Sequence, residues 1–146
     1  MKYSHTLFLA TIVIMSIVSS PCLYAKDTKQ MLDKAMNLSI SGNDEQALEV
    51  YEKIIKIDPE NAEAYNHIGT IYYNEAVENR DIELLKKAIE KFKKALSLNN
   101  SYGEAHDNLA MCYVITREDN KARSHYQKAK SLGIRNERLE KRFYGK

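Results

Sequence analysis

The stretch Tyr65-Asn66-His67-Ile68-Gly69-Thr70-Ile71-Tyr72 decides the fold, because its spacing returns elsewhere in the chain. Met31, Ala35 and Leu38 precede Tyr65, Gly69 and Tyr72 by 34 positions each. Ala88, Phe92, Ala95 and Leu98 are followed, again at 34 positions, by Ala122, Tyr126, Ala129 and Leu132. Between these sets the offset changes: Ala47, Tyr51 and Ile57 map onto Ala88, Phe92 and Leu98 at 41 positions, so seven extra residues sit between Tyr72 and Ala88. A fixed period of this length marks an array of stacked units, each one a supersecondary element that cannot bury its apolar face alone.

The residue types fit paired helices. In each copy one small residue falls on one helix (Ala35, Gly69, Ala110) and another on its partner (Ala47, Ala88, Ala122), which lets two antiparallel helices approach closely. Tyr51, Phe92 and Tyr126 are each followed three residues on by Ile54, Ala95 and Ala129, a helical spacing that turns the rings into the core. Turn signals separate the helices at Ser41-Gly42-Asn43-Asp44, Asp58-Pro59, Asn99-Asn100-Ser101 and Leu132-Gly133. The insertion, near residues 75–81, is followed by Ile82, Leu85, Ala88, Ile89 and Phe92 at three- and four-residue steps. It is expected to lengthen both helices of the second pair, a plain loop being the alternative. After Asn136, Leu139 and Phe143 form an i, i+4 apolar pair among charges, the pattern of a short helix that caps the open end of a stack.

Residue by residue, the chain resembles the tetratricopeptide repeat family. One copy has Tyr65, Ile68, Gly69 and Tyr72, then Ala88, Phe92 and Ala95; the next has His106, Leu109, Ala110 and Tyr113, then Ala122, Tyr126 and Ala129. The first is more degenerate, with Met31, Lys34, Ala35 and Leu38 before Ala47, Tyr51 and a closing Pro59. The resemblance implies an all-α, right-handed superhelix of antiparallel helix pairs. Three copies are expected at residues 28–61, 62–102 and 103–136, with a capping helix over 137–146.

With 146 residues, 44% of them apolar, the chain has material for one domain with a real core. Five Gly and two Pro leave few enforced breaks, so helices are expected throughout. Lys2 precedes an uncharged apolar run from Leu7 to Val18, followed by Ser19-Ser20-Pro21 and then Leu23-Tyr24-Ala25 before Lys26-Asp27. This reads as a secretory signal over residues 1–25 cleaved after Ala25, and hence as an exported, periplasmic or secreted protein. Tethering through an uncleaved signal or an acylated Cys22 is the alternative, although Pro21 departs from the residue that precedes a lipidated cysteine. Loss of Cys22 leaves Cys112 alone, which excludes an internal disulfide and reads as a small buried hydrophobe.

The formal charge of +2 hides an asymmetry. Residues 26–116 carry eleven Lys and Arg against sixteen Asp and Glu, whereas residues 117–146 carry ten against four. No phosphate-binding Gly-rich loop, no nucleophile with a base at helical spacing and no metal-ligand pattern is present. His67, His106 and His125 read as packing or surface histidines, and no catalytic residue, metal or cofactor is expected.

What the repeat geometry offers is a concave groove lined by the first helix of each pair. By resemblance its lining maps to Lys29, Leu32, Met36, Ser39 and Ile40, then Glu63, Asn66, Thr70, Tyr73 and Asn74, then Glu104, Asp107, Met111, Val114 and Ile115. For Ile40, Val114 and Ile115, packing between neighbouring helices is an equal reading. Family members that clamp a chaperone's C-terminal carboxylate carry Lys, Arg and Asn where this chain has Leu32, Met36, His67, Glu104 and Asn108. Leu32, Met36, Glu63, Asn66, Thr70, Tyr73, Glu104, Asp107 and Met111 are therefore the candidate site: apolar anchors with an acidic rim, suited to an amphipathic or basic segment. The expected function is a non-enzymatic scaffold that binds a peptide or protein, in envelope complex assembly. A self-associating structural subunit is the alternative. Arg135, Arg138, Lys141, Arg142 and Lys146 read first as a solvated capping face, with contact to anionic lipid as the weaker alternative, and nucleic acid is disfavoured because no aromatic interleaving accompanies the charge.

Overall fold

The computed structural model describes residues 21–145, with side chains from Asp27 onward. The apolar run, most of the leader and the Cys22 side chain lie outside the described residues. Seven helices and no strand are found among those described: α1 (Pro21–Ile40), α2 (Asp44–Ile57), α3 (Ala62–Asn79), α4 (Ile82–Leu98), α5 (Gly103–Ile115), α6 (Asp119–Ser131) and α7 (Glu137–Tyr144). None is long and apolar enough to cross a membrane. α1 already runs from Pro21 among the described residues, so a cut after Ala25 would fall within it.

Successive helices pair as α1 with α2, α3 with α4 and α5 with α6, and each pair packs on the next. Three cores follow one another. The first joins Leu32 and Ala35 of α1 to Ala47, Tyr51 and Ile54 of α2 and Ala64, Ile68 and Ile71 of α3. In the second, Leu85, Ala88 and Phe92 of α4 meet Leu109, Cys112 and Tyr113 of α5 and Ala122 of α6. The third sets Ala110 and Tyr126 against Leu139 of α7, which closes the stack. Tyr51, Phe92 and Tyr126 are all fully buried, as their spacing predicts. Cys112 is buried as well, and burial pushes its thiol up to about 12, leaving it without thiolate character near neutral pH.

Side chains set the helix boundaries. Asn61 Oδ1 accepts from Ala64 N at 2.9 Å, Asp81 Oδ1 from Glu83 N at 2.7 Å and Leu84 N at 3.1 Å, and Asn136 Oδ1 from Leu139 N at 3.3 Å. Each fills a donor that a helix N-terminus otherwise leaves orphaned. The turns inside the three pairs share one device, a residue of positive φ: Gly42, Arg80 and Arg117. The next N–H then reaches back to close the turn, Asn43 to Leu38 O, Asp81 to Ala76 O and Glu118 to Tyr113 O.

The insertion is helical. α3 and α4 run 18 and 17 residues, against 14 for α2 and 13 each for α5 and α6. Only Arg80 and Asp81 join them, so the added residues lengthen both helices by about a turn.

Candidate functional site

Elements from all three pairs converge on one cleft. Met36 of α1, Glu63 and His67 of α3 and Glu104 of α5 line it, together with Asp58, Glu60 and Asn61 from the α2–α3 connection and Asn99 and Tyr102 from the α4–α5 connection. Its volume is about 640 Å³. Four carboxylates and, among the described residues, no Lys or Arg face this space. Asp58 ends α2 because Pro59 cannot continue it, and the turn is closed by Asp58 Oδ1 accepting from Glu60 N at 3.2 Å and Oδ2 accepting from Asn61 Nδ2 at 3.1 Å.

His67 is held on the cleft wall by its ring, stacked on Tyr51 with centroids 5.2 Å apart and planes 12° from parallel. Its Nε2 stands 3.8 Å from Glu63 Oε1. Burial lowers the pKa of His67, and the Glu63 carboxylate opposes that shift. Tyr102 is driven the other way, upward, first by burial and then by the Glu104 carboxylate.

The cleft continues over Asn66, Thr70, Asp107, Asn108 and Ile134, sharing His67 and Glu104 with its first part. An amide ladder forms this floor. Asn108 Nδ2 donates to Asn66 Oδ1 at 3.1 Å and, at 3.5 Å, reaches Thr70 Oγ1; Asn66 Nδ2 donates to Tyr102 Oη at 3.4 Å. At the far end Asp107 Oδ2 accepts from Asn136 Nδ2 at 2.8 Å, tying α5 to the start of α7. Asp107 Oδ1 is sealed from solvent and has no hydrogen-bond partner among the described residues. Burial accordingly raises the pKa of Asp107, against the effect of the Asn136 bond.

Of the residues expected to line the groove, Met36, Glu63, Asn66, Thr70, Glu104 and Asp107 come together along this cleft. Leu32 does not. It is only 8% exposed, because it lies one turn from Ala35 on the stripe that faces α2, and it belongs to the first core. Asn66 is 2% exposed, so it holds the floor in place and offers little surface of its own. Tyr73 and Met111 are half-buried against the second and third cores. Ile40 stands 82% exposed at the end of α1, Ile115 is also exposed, and Val114 is packed. Lys29 and Asn74 are exposed, while Ser39 Oγ donates to Asp44 Oδ1 at 2.8 Å.

Reading the first helices alone missed Asp58, Glu60, Asn99 and Tyr102, which come from the connections. The 41-residue offset that relates Asp58 to Asn99 and Asn61 to Tyr102 is the signal that finds them. A second unforeseen pairing lies outside the cleft: His106 Nδ1 and His125 Nδ1 are 2.9 Å apart, and His125 stacks on Tyr113. His106 Nε2 sits 3.2 Å from Asn100 O, a carbonyl that can only accept, so Nδ1 of neutral His106 accepts from His125. No group of three His, Cys, Asp or Glu is placed to hold a metal among the described residues.

Comparison with known proteins bears on the same architecture. A family model described as TPR repeat matches residues 40–75. DnaJ homolog subfamily C member 7 of Mus musculus is 29% identical over 107 residues, 73% of this chain and 21% of that protein. The probable UDP-N-acetylglucosamine–peptide N-acetylglucosaminyltransferase SPINDLY of Solanum lycopersicum is 31% identical over 87 residues, 60% of this chain and 9% of that protein. The chain thus spans about a fifth or less of the curated relatives it matches. Among solved structures, the second TPR of Spaghetti (RPAP3) bound to HSP90 peptide SRMEEVD superposes with a TM-score of 0.63 at 20% identity, covering 72% of this chain and 91% of that one. MamA gives 0.61 at 17% identity, covering 73% and 58%. The chain therefore carries a tetratricopeptide repeat at residues 40–75 and has the all-α superhelical fold of tetratricopeptide proteins.

Proposed function

We propose that the protein is a non-enzymatic interaction module of three tetratricopeptide copies and a cap, whose concave groove holds a basic, amphipathic segment of a partner protein. One observation carries this reading: the cleft is lined by Asp58, Glu60, Glu63 and Glu104 with no Lys or Arg beside them among the described residues. Converging carboxylates in a concave wall concentrate positive charge, and Met36 supplies an adaptable apolar contact beside them. The acidic sequence SRMEEVD, seen with the Spaghetti neighbour, is the wrong sign for such a cleft. Support for three copies comes from the recurring positive-φ turns at Gly42, Arg80 and Arg117 and from the helix pairs they close. The reading needs no cofactor.

The protein acts, in this proposal, outside the cytoplasm, in assembly of an envelope complex. The support is the sequence of residues 1–25. Mass measurement of the mature N-terminus tests it: a chain beginning at Lys26 agrees, and a retained Met1 with no membrane association removes it. For the groove, the test is titration with a fluorescent amphipathic peptide rich in Lys and Leu. Glu63→Lys with Glu104→Lys is expected to abolish binding, and Tyr73→Ala with Met111→Ala to weaken it. Binding untouched by both pairs of changes removes the groove from consideration.

A further inference from the structure

α7 starts in the same phase as α5. Its N-cap Asn136 stands 34 positions after Tyr102, the N-cap of α5, and Leu139 and Phe143 take the places of Ala105 and Leu109. The burial agrees, since Leu139 is enclosed as Ala105 is and Phe143 packs on the second and third cores. Through that correspondence Arg138 and Lys141 take the positions of Glu104 and Asp107, the groove positions of α5. Burial raises the pKa of the Tyr73 phenol of α3, and the charge of Arg138 opposes that shift. Asn136, two residues before Arg138, donates to Asp107 of α5, so the start of α7 lies beside the end of the amide floor. Both cations are exposed, and no salt bridge engages them among the described residues, whereas Arg142 is held by Asp119 at 2.7 Å and Lys130 by Glu140 at 2.8 Å.

By this correspondence the groove changes sign along its length. Asp58, Glu60, Glu63 and Glu104 line one end and the uncharged Asn66, Thr70 and Asn108 the middle, and the exposed Arg138 and Lys141 of α7 continue the series of groove positions beyond them. Near the change of sign lies Asp107 Oδ1, buried and without a partner among the described residues. Asn108 commits its amide nitrogen to Asn66 and Thr70, which leaves its half-buried Oδ1 available to a peptide N–H.

We infer that the groove reads an extended peptide by charge polarity: Lys or Arg over the α2–α3–α5 cleft, uncharged residues along the amide floor, and Asp or Glu over Arg138 and Lys141 of α7. This rests on the groove being the interaction surface and adds the second, acidic half of the recognised segment. Charge complementarity fixes orientation and excludes partners of the reverse polarity.

The test is selection of a phage-displayed random dodecapeptide library on the purified protein, on Arg138→Glu/Lys141→Glu, and on Glu63→Lys/Glu104→Lys. All four positions are exposed, and circular dichroism melts confirm that the variants fold. Peptides enriched on the wild type are expected to carry a basic block and an acidic block in one fixed order. On the α7 variant the acidic block is lost and the basic block kept, and a synthetic wild-type-selected peptide binds at least about tenfold more weakly. A basic block alone, unaffected by the α7 changes, overturns the polarity and leaves the groove reading standing. Enrichment indifferent to both variants overturns the two together.

Discussion

Gly69 of α3 lies so close to Phe92 of α4 that a Cβ at residue 69 would stand 2.7 Å from the ring carbon Cε1 and 2.8 Å from Cδ1. Phe92 is fully buried and cannot swing away into solvent. The missing side chain is what lets the second pair close, and Ala in place of Gly would meet the ring directly. Helix propensity favours Gly69→Ala by about 1 kcal/mol, but overpacking a filled core costs about 1–3 kcal/mol, so net destabilisation is expected. Chemical denaturation measures it, and Phe92→Leu in the Gly69→Ala background should recover part of the loss. An unchanged or raised midpoint for Gly69→Ala alone would show that the ring yields.

This contact was legible in outline. Small residues at 35, 69 and 110 and rings at 51, 92 and 126 recur at fixed offsets, and a repeat shows its packing by saying the same thing more than once. The acidic rim was legible too, through Glu63 and Glu104. What could not be read was whatever depends on two segments meeting without a shared period. His106 and His125 are 19 residues apart, and nothing in either helix announces the other. Leu32 was misplaced because groove and core stripes adjoin on a helix, so a small rotation of α1 decides which one a residue joins.

The His106–His125 pair makes stability depend on pH. Burial lowers the pKa of both rings; for His125 the neighbouring His106 and then Lys93 lower it further, and for His106 so does Lys128. A histidine whose folded pKa lies below its unfolded value, about 6.5, leaves the unfolded chain binding more protons in that window. Stability is therefore complete above about pH 6.5 and falls as pH drops from there toward the depressed folded values. His67 adds to the same trend, since its pKa is also lowered. Melting temperatures between about pH 7.5 and 5.5 should fall for the wild type and fall less for His106→Gln/His125→Gln, with the remainder due to His67. An equal fall in both proteins would rule out the pair as the source.

The cap is expected to act locally. Leu139 is enclosed against Ala110 and Tyr126, and the Tyr126 hydroxyl donates to Glu140, whose other oxygen accepts from Lys130 Nζ at 2.8 Å. Leu139→Ala removes a buried side chain worth about 2–5 kcal/mol, yet stacked repeats respond mainly where they are touched. Hydrogen exchange should quicken in α7 and α6 and change little in α1 and α2. Uniform acceleration along the chain would mean that the stack unfolds as one unit.

The amide floor should behave as a coupled unit. Asn66 is buried between Asn108 and Tyr102, so Asn66→Ala leaves the Asn108 amide short of an acceptor. A loss of about 1–2 kcal/mol is expected for Asn66→Ala and a smaller one for Asn108→Ala. The double variant should cost less than the sum by about 0.5–1.5 kcal/mol, the coupling of neighbours within one network. Strict additivity in a denaturation cycle would separate the two residues.

The turns offer a change in the opposite direction. Gly42 holds its φ of 76° without cost, but Arg80 at 55° and Arg117 at 61° place a Cβ in the left-handed region. Such a residue is strained by about 1–2 kcal/mol, and glycine at the same place relieves the strain while adding freedom to the unfolded chain. Neither arginine forms a salt bridge among the described residues, and both are exposed, so little is lost with the side chain. Arg80→Gly and Arg117→Gly should each raise stability by about 0.5–1 kcal/mol, and nearly additively, because the two turns belong to different pairs. The reverse change, Gly42→Arg, should lower it by a similar amount. Thermal melts of the three variants decide the point: a gain at 80 and 117 with a loss at 42 requires the shared left-handed turn, and a loss at all three positions excludes it.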